Sequence, residues 1–169
     1  ERISFLSTRR CRHFLAGIAP PLLRAIGRTP DPDQTLVDLA QVSDSLGGKG
    51  VLWELFQTHP PSLKLYTRLC GCSPYLSGIL TSNPGMIDYL LDSLLLDRLP
   101  RRLELEQNLN ELAHGAESLD PILQAFKADQ HLRIGVRDIL GKEDLADIHR
   151  ALSDVAEVCL RCVASAQYQ

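Results

Sequence analysis

Apolar residues along this chain of 169 residues recur mainly at three- and four-residue steps, which is the spacing of an α-helix. No segment alternates between apolar and polar residues over a convincing strand length. The final segment shows the helical period over the longest distance, and its apolar stripe is predicted to comprise Leu145, Ile148, Leu152, Val155, Ala156, Cys159 and Val163. The pattern therefore predicts an all-α protein.

Prolines mark the starts of several predicted helices. A first helix, capped by Ser7, is expected to break or kink at Pro20-Pro21, because proline removes a backbone donor and clashes with the preceding turn. Asp31-Pro32 is a typical helix start. Short apolar helices are predicted at three further prolines, each after a turn or capping residue: His59-Pro60, Ser73-Pro74 and Asn83-Pro84. Helices of about ten residues are marginal alone, so packing must hold them.

The short-helix cluster supplies the expected core. Its apolar residues are Val51, Leu52, Leu55, Phe56, Leu63, Leu65, Leu69, Leu76, Ile79, Leu80, Ile87, Leu90 and Leu91. The polar segment that follows is predicted to hold one surface helix, from about Leu103 to Ala113. Two longer helices then run from Ser118 to about Leu140 and from Glu143 or Asp144 to about Ala166.

These elements predict an irregular multi-helix bundle of short proline-initiated helices followed by two long C-terminal helices. We expect a single helical domain over residues 1–169, with sub-parts 1–48, 49–97 and 98–169. The chain begins at Glu1 without an initiator methionine, so we interpret it as a fragment of a larger multidomain protein.

Composition and charge exclude several classes of protein. The net charge of −3 gives no electrostatic reason to expect binding to nucleic acid or to an anionic membrane. The longest aliphatic run, Leu94-Leu95-Leu96, is far shorter than the ~18 residues that a membrane span requires. The five cysteines, without a secretory leader, are interpreted as reduced intracellular thiols.

No residue is predicted to be catalytic, to bind a cofactor or to bind a metal. The cysteine pairs Cys70-x-Cys72 and Cys159-x2-Cys162 are interpreted as small core residues, because a zinc site needs four converging ligands. Gly47-Gly48-Lys49-Gly50 lacks the spacing and the Ser or Thr of a phosphate-binding loop, which favours a helix-to-helix turn. The basic N-terminal cluster is interpreted as a solvated helix face, and comprises Arg2, Arg9, Arg10, Arg12 and His13.

Four charged residues near the C-terminus are the candidates for a structural or interdomain role: Arg133, Arg137, Asp138 and Glu157. Arg133 and Arg137 lie one helical turn apart among aliphatic residues. This arrangement fits an ion pair between the last two helices, such as Arg133 with Glu157, and it fits contact with another domain. The two interpretations are compatible.

Several segments in order resemble one family. They are Val51–Phe56 with His59-Pro60, Ser73–Leu76, Asn83-Pro84 with Ile87-Asp88, Phe126-Lys127, His131–Ile134 with Asp138 and Gly141, and Leu152 with Ala156-Glu157. In this order and spacing they resemble the adenylyltransferases that modify glutamine synthetase, in the helical region just before a nucleotidyltransferase domain.

The resemblance implies a cytoplasmic, multifunctional parent enzyme of nitrogen metabolism that uses ATP and magnesium. One of its nucleotidyltransferase domains attaches AMP to glutamine synthetase, the other removes it, and glutamine and the PII protein shift the balance. The Gly-Ser loop and Asp-x-Asp pair of such a domain are absent, and the chain stops at Gln169, about where that domain should start. The resemblance therefore implies a non-catalytic helical linker or regulatory domain, whose partner is its own downstream nucleotidyltransferase domain.

A second hypothesis is a free-standing helical interaction module that binds an amphipathic helix or peptide in a groove.

Overall fold

The computed structural model describes residues 9–46, 50–86 and 98–167. Within these ranges the chain forms eight α-helices and one 3-10 turn, and no strand. The predicted all-α class is therefore confirmed. None of the described helices is both long enough and apolar enough to cross a membrane.

The chain divides into two compact units, Glu1–Leu91 and Asp92–Gln169, which we call the N-terminal unit and the C-terminal unit. The division falls close to the predicted boundary between residues 49–97 and 98–169. The grouping of all three sub-parts into one domain stays a prediction.

The N-terminal unit contains five helices. They are α1 (Arg9–Ile26), α2 (Pro32–Ser45), α3 (Val51–Thr58), α4 (Pro60–Cys72) and α5 (Pro74–Ser82), followed by a 3-10 turn at Pro84–Met86. The starts of α4 and α5 confirm two of the proline-initiated helices. Residues 87–97, which include the predicted core residues Ile87, Leu90 and Leu91, lie outside the described ranges.

Helix α1 does not break at its two prolines. Pro20 and Pro21 lie inside it, and the helix continues to Ile26. Prolines at these positions deprive the carbonyls of Ala16 and Gly17 of their helical donors. All four residues are exposed, so water can solvate the carbonyls and the helix can continue.

The helix starts follow the predicted capping chemistry at two places. The Asp31 carboxylate accepts a hydrogen bond from the Gln34 N–H at 2.9 Å. The Ser73 hydroxyl accepts one from the Leu76 N–H at 3.2 Å. His59 differs, because its Nδ1 lies 2.6 Å from the Ser62 hydroxyl and its side chain does not cap the backbone of α4. Each of these residues immediately precedes a proline, which fixes the first turn of its helix.

Helix α4 is the centre of the N-terminal unit and contacts α1, α2, α3 and α5. Three aromatic rings pack edge to face where α4 meets α3. The centroid of the Phe56 ring lies 5.8 Å from that of Trp53 and 5.5 Å from that of Tyr66. Most of the predicted core residues are buried: Leu52, Phe56, Leu63, Leu65, Leu69, Leu76, Ile79 and Leu80. Val51 was wrongly included, because it is 51% exposed, and Leu55 is half-buried. Trp53 and Tyr66, fully buried, are the largest core residues that the pattern missed.

The end of α4 approaches the turn between α1 and α2 very closely. A methyl group added to Gly71 would lie 2.5 Å from Cγ2 of Thr29 and 3.1 Å from Oγ1 of Thr35. The two threonine hydroxyls are 2.9 Å apart, and they bond to the carbonyls of Ile26 and Asp31. Gly71 therefore permits this contact because it has no side chain.

The C-terminal unit is built from three helices, each of which contacts the other two. They are α6 (Arg102–Ala113), α7 (Asp120–Ile139) and α8 (Leu145–Gln167), close to the predicted bounds. Their shared core comprises Leu105, Leu109, Phe126, Ile134, Ile148, Ala151, Val155 and Val158. Helix α6 is thus more than a surface helix, because two of its leucines are part of this core.

Helix α8 has two apolar faces rather than the single predicted stripe. Ile148 and Val155 are buried against α6 and α7. Four other residues are exposed and form what we call the second apolar stripe: Leu145, Leu152, Leu160 and Val163. At about 100° per residue, this stripe lies roughly 100° around the helix from the buried face. The single stripe was wrong because it merged these two faces.

Candidate functional site

Arg137, one of the four charged candidates, forms a largely buried ion pair. Its Nε lies 2.6 Å and its Nη2 2.5 Å from Oε1 of Glu143, and its side chain is only 7% exposed. The turn that ends α7 makes this contact possible. Gly141 has a φ of 65°, and the next N–H, of Lys142, bonds to the Arg137 carbonyl at 2.9 Å. This left-handed helix end folds the chain back toward Arg137.

Arg133 does not pair with Glu157, as the sequence suggested. Its Nε lies 3.2 Å from Oδ2 of Asp129, one turn earlier on α7. Burial raises the pKa of Asp129, and Arg133 opposes this shift by favouring the charged carboxylate. The expected pair was wrong, because Arg133 pairs with Asp129 of its own helix and Glu157 pairs with Arg102.

Glu157 instead joins α8 to α6. Its Oε2 lies 2.6 Å from Nη1 of Arg102, and its Oε1 accepts a hydrogen bond from Arg161 at 3.1 Å. Arg102 also contacts Glu106, and Arg161 lies 3.6 Å from the same Glu106 carboxylate. These four residues form a closed ring of charges, in which Arg102 lowers the pKa of Glu157 by its hydrogen bond.

Asp138 lies on the exposed side of α7. Its backbone carbonyl accepts a hydrogen bond from the Gly141 N–H at 2.9 Å, so the residue takes part in the helix end. Arg133, Arg137, Asp138 and Glu157 thus have separate structural environments and do not form one site.

A cleft of about 420 Å³ opens beside the Arg137 pair in the C-terminal unit. Its charged lining comprises six basic residues, Arg98, Arg101, Arg102, Arg137, Lys142 and Arg150, and three acidic ones, Glu143, Asp147 and Asp154. Four of the arginines already form ion pairs: Arg98 with Glu104, Arg102 with Glu106 and Glu157, Arg137 with Glu143, and Arg150 with Asp147. Four of the six basic residues of the cleft are therefore already paired with carboxylates.

The cysteines have different environments. Cys11 and Cys70 are buried, Cys159 and Cys162 are partly buried, and Cys72 is exposed. The core interpretation is therefore wrong for Cys72. Across the described residues, no three His, Cys, Asp or Glu side chains come together as a group that could hold a metal ion.

The basic N-terminal cluster is exposed where it is described. Arg10 pairs with Glu54 at 2.6 Å and lies 5.5 Å from the Phe14 ring centroid, while Arg9, Arg12 and His13 face solvent. The interpretation as a solvated face is confirmed for these residues. Arg2 and Gly47-Gly48-Lys49 lie outside the described ranges.

The sequence of residues 63–169 matches the family model described as glutamate-ammonia ligase adenylyltransferase. This segment runs from α4 to the end of the chain and makes up more than half of it. The chain belongs to this family.

Similar bacterial proteins agree with the glutamate-ammonia ligase adenylyltransferase assignment. A bifunctional glutamine synthetase adenylyltransferase/adenylyl-removing enzyme from Mesorhizobium japonicum is 33% identical over 92% of this chain. Enzymes of the same description from Xanthobacter autotrophicus and Thioalkalivibrio sulfidiphilus are 32% and 31% identical over 90% and 91% of it. The chain spans 16% of the length of each. No solved structure matches the chain significantly.

Sequence reasoning missed three charged residues that this adenylyltransferase family member uses in its C-terminal unit: Arg102, Glu106 and Glu143. The four-residue spacing of Arg102 with Glu106 is a local signal that could have indicated one pair. Glu143, two residues after Gly141, could have been found from the expected left-handed helix end. The contact of Arg102 with Glu157 could not have been found from the sequence, because it depends on how α6 packs on α8.

Proposed function

We propose that this chain is a non-catalytic helical part of a bifunctional glutamine synthetase adenylyltransferase, and that it binds and orients the nucleotidyltransferase domain that follows it. ATP, magnesium, glutamine synthetase and the PII protein are then ligands and partners of the parent enzyme, which acts in the cytoplasm. The family membership and the 16% coverage of its relatives support the assignment to a larger enzyme.

The second apolar stripe of α8 is the observation that carries this proposal. Leu145 is 66% and Leu160 is 70% exposed, although the same helix already packs against α6 and α7 through its other face. A helix with a second apolar stripe beside its buried face can pack against a further element there. Its four aliphatic side chains, from Leu145 to Val163, offer a surface for another part of the parent enzyme.

The charge ring gives this surface a fixed position within its unit. Arg102, Glu106, Glu157 and Arg161 connect α6 with α8, and the core lies beneath them. A rigid docking surface loses less conformational freedom on binding than a flexible one. This suits a part that orients a catalytic domain.

Binding of the separately expressed downstream nucleotidyltransferase domain tests the proposal. Calorimetry would measure binding to this chain, and mass spectrometry would measure adenylylation of glutamine synthetase. We expect binding, and activity that is raised or made sensitive to glutamine. No binding and no effect between two folded proteins would overturn the proposal and favour a free-standing interaction module.

A pair of matched substitutions tests the surface itself. Leu160→Ser should weaken binding about tenfold or more, because it removes an aliphatic side chain from the interface. Leu23→Ser is the control, since Leu23 is 63% exposed but lies on α1 in the N-terminal unit. Equal binding by the two variants would show that the second apolar stripe is not the interface.

A regulatory role is a further part of the proposal. Charge reversal at Arg133 or Arg137 is the test that the sequence analysis favours. Arg137 is buried, however, so reversing its charge would test folding rather than regulation. Arg133→Gln in the full-length enzyme is the better test, because this side chain is 28% exposed. We expect an altered response to glutamine, with the exposed Arg150→Gln as control. An unchanged response would exclude Arg133 from the coupling.

A further inference from the structure

The N-terminal unit contains a groove that none of its assigned features uses. It has a volume of about 780 Å³ and lies between α1, α3 and α4. Its apolar lining comprises Gly17, Ile18, Pro21, Ala25, Phe56, Pro60 and Leu63. The groove is formed entirely by residues of the N-terminal unit, whereas the second apolar stripe belongs to the C-terminal unit.

Basic side chains occupy both sides of this groove. Arg24 lies in the last turn of α1 and Arg28 in the turn that follows it, and Lys64 and Arg68 stand four residues apart on α4. All four are exposed. The described lining contains no acidic residue among its 14 members. We call this feature the cationic groove.

The four cations of the cationic groove have no ion-pair partner among the residues that the structure describes. Arg24 donates from Nε to the Pro20 carbonyl at 3.1 Å, which leaves its terminal nitrogens available. The contrast with the C-terminal cleft is clear, since four arginines there are already neutralised. The cationic groove therefore offers positive charge to a ligand.

The arrangement of these charges selects among possible ligands. Two pairs of cations border an apolar floor: Lys64 and Arg68 stand one helical turn apart on α4, and Arg24 and Arg28 flank the end of α1. A helical peptide with an apolar stripe and acidic residues on both sides of it matches this pattern, because its i and i+4 carboxylates have the same spacing. From Gly17 to Ala25 the groove runs along α1 for about 12 Å at helical rise, which corresponds to roughly two turns.

The floor is less suited to a nucleotide or another small polar anion. Such ligands need several free polar groups that converge on them. The Thr67 hydroxyl already donates a hydrogen bond to the Leu63 carbonyl at 2.7 Å, and the Thr29 hydroxyl donates one to the Ile26 carbonyl at 2.6 Å. Gln57 is the remaining amide of the lining. The polar groups of the groove are thus mainly charges at its rim.

We propose that the cationic groove binds an amphipathic helical segment whose apolar stripe is flanked by acidic side chains. The inference rests on charge complementarity and on the apolar floor, and it does not depend on the function proposed for the C-terminal unit. The net charge of the N-terminal unit agrees with this proposal. Its nine Lys and Arg against seven Asp and Glu give +2, whereas the whole chain carries −3.

A designed peptide is the probe. A fluorescein-labelled helix of about four turns, with leucines at i, i+3, i+4 and i+7 and glutamates on both sides, would be titrated with the full 169-residue chain and followed by anisotropy. We expect saturable binding that weakens with salt. A peptide of the same composition in scrambled order should bind at least about tenfold more weakly, a difference of about 1.4 kcal/mol.

Two kinds of variant locate the binding. Arg24→Glu with Arg28→Glu should weaken binding about tenfold or more, because it replaces attraction by repulsion on one rim. Arg9→Glu with Arg12→Glu is the control, since it makes the same charge change on exposed residues of the same helix outside the groove. Gly17→Phe should block the floor sterically, and its Cβ would lie 3.2 Å from the exposed Gln57 amide nitrogen, so that side chain would have to shift.

Four results would overturn the proposal. They are no saturable binding of the designed peptide, equal binding of the scrambled peptide, an equal loss in the Arg9 and Arg12 control, and displacement of the peptide by inorganic tripolyphosphate at lower concentration than by unlabelled peptide. The last result would identify a small-anion site. Circular dichroism of each variant would confirm that it is folded.

Discussion

Arg137 and Glu143 form a two-donor contact across the end of α7, in which Nε and Nη2 of the arginine both lie within 2.6 Å of one carboxylate oxygen. The contact lies partly below the surface, since the two side chains are 7% and 18% exposed. It connects the last turn of α7 to the segment that begins α8. The end of α7 is therefore linked to the start of α8 by a polar pair, in addition to the apolar core of the C-terminal unit.

Removing the carboxylate from this pair should destabilise the protein. Glu143→Gln is expected to lower the free energy of unfolding by about 2–3 kcal/mol, because a buried guanidinium loses its counter-charge while partial exposure of Glu143 admits water. Urea unfolding followed by circular dichroism at 222 nm measures the effect. Asp147→Asn is the matched control, since it removes a carboxylate from the exposed pair with Arg150 and should cost less than about 1 kcal/mol. Equal losses would contradict the argument.

The close approach of Gly71 to Thr29 predicts an opposite response of two helical glycines to the same substitution. Gly71→Ala should destabilise the protein by about 1–3 kcal/mol, because the new methyl group would overlap a hydrogen-bonded threonine. Gly78→Ala on α5 should stabilise it by roughly 0.5–1 kcal/mol, since nothing lies within 4 Å of the new methyl and alanine favours the helix. Thermal unfolding of both variants provides the comparison. Stabilisation by Gly71→Ala would mean that the turn at Thr29 is free to move.

The thiols should differ strongly in reactivity. Burial raises the pKa of Cys70 to about 12, and the Asp38 carboxylate adds to the shift. Cys70 should therefore stay protonated and unmodified by iodoacetamide at pH 8, while exposed Cys72 reacts. Peptide mass spectrometry after timed labelling distinguishes them, and labelling in urea is the control. Modification of Cys70 as fast as Cys72 in the folded protein would refute the assignment.

The same shift has a consequence for stability. The folded state holds the Cys70 proton more tightly than the unfolded chain does, whose thiol has an ordinary pKa of 9.0. The protonated thiol therefore contributes stability below pH 9, and this contribution decreases as the pH rises from 9 toward 12.

Glu104 should titrate at unusually low pH. The hydrogen bond from Arg98, at 2.5 Å, and a second one from the Arg101 N–H lower its pKa from 4.5 to about 2. Its contribution to stability is fully present above pH 4.5 and is lost as the pH falls toward 2. NMR detection of the carboxyl carbon would follow this titration. Arg98→Ala should raise the midpoint toward 4.5, whereas Arg102→Ala should leave it near 2, and an unchanged midpoint in Arg98→Ala would contradict the stated cause.

Local chemistry explains which elements the sequence predicted. Asp31 and Ser73 cap helices through backbone donors three residues away, so the signal lies within one turn of chain. The same holds for Gly141, whose left-handed conformation ends α7 where the pattern placed it. Of the predicted break or kink at Pro20-Pro21, the break was wrong, because exposure, which a local rule does not contain, decides whether water can replace the lost bonds.

The features that the sequence did not predict depend on packing between helices. The aliphatic residues of α8 look equivalent in the sequence, and only the position of α6 and α7 decides that Val155 is buried and Leu152 exposed. Glu157 likewise has Arg161 within its own helix, but its link to Arg102 exists only after α6 packs on α8. The cationic groove also combines pairs from two helices that are separated by 40 residues, from Arg24 to Lys64.

His59 ends α3 and starts α4, and Ser73 ends α4 and starts α5, so three successive helices are joined by single residues. Because a single non-helical residue makes each junction, one inserted amino acid at either place would change the direction in which the next helix leaves it. The exact length of this segment is therefore as important to the fold as its composition.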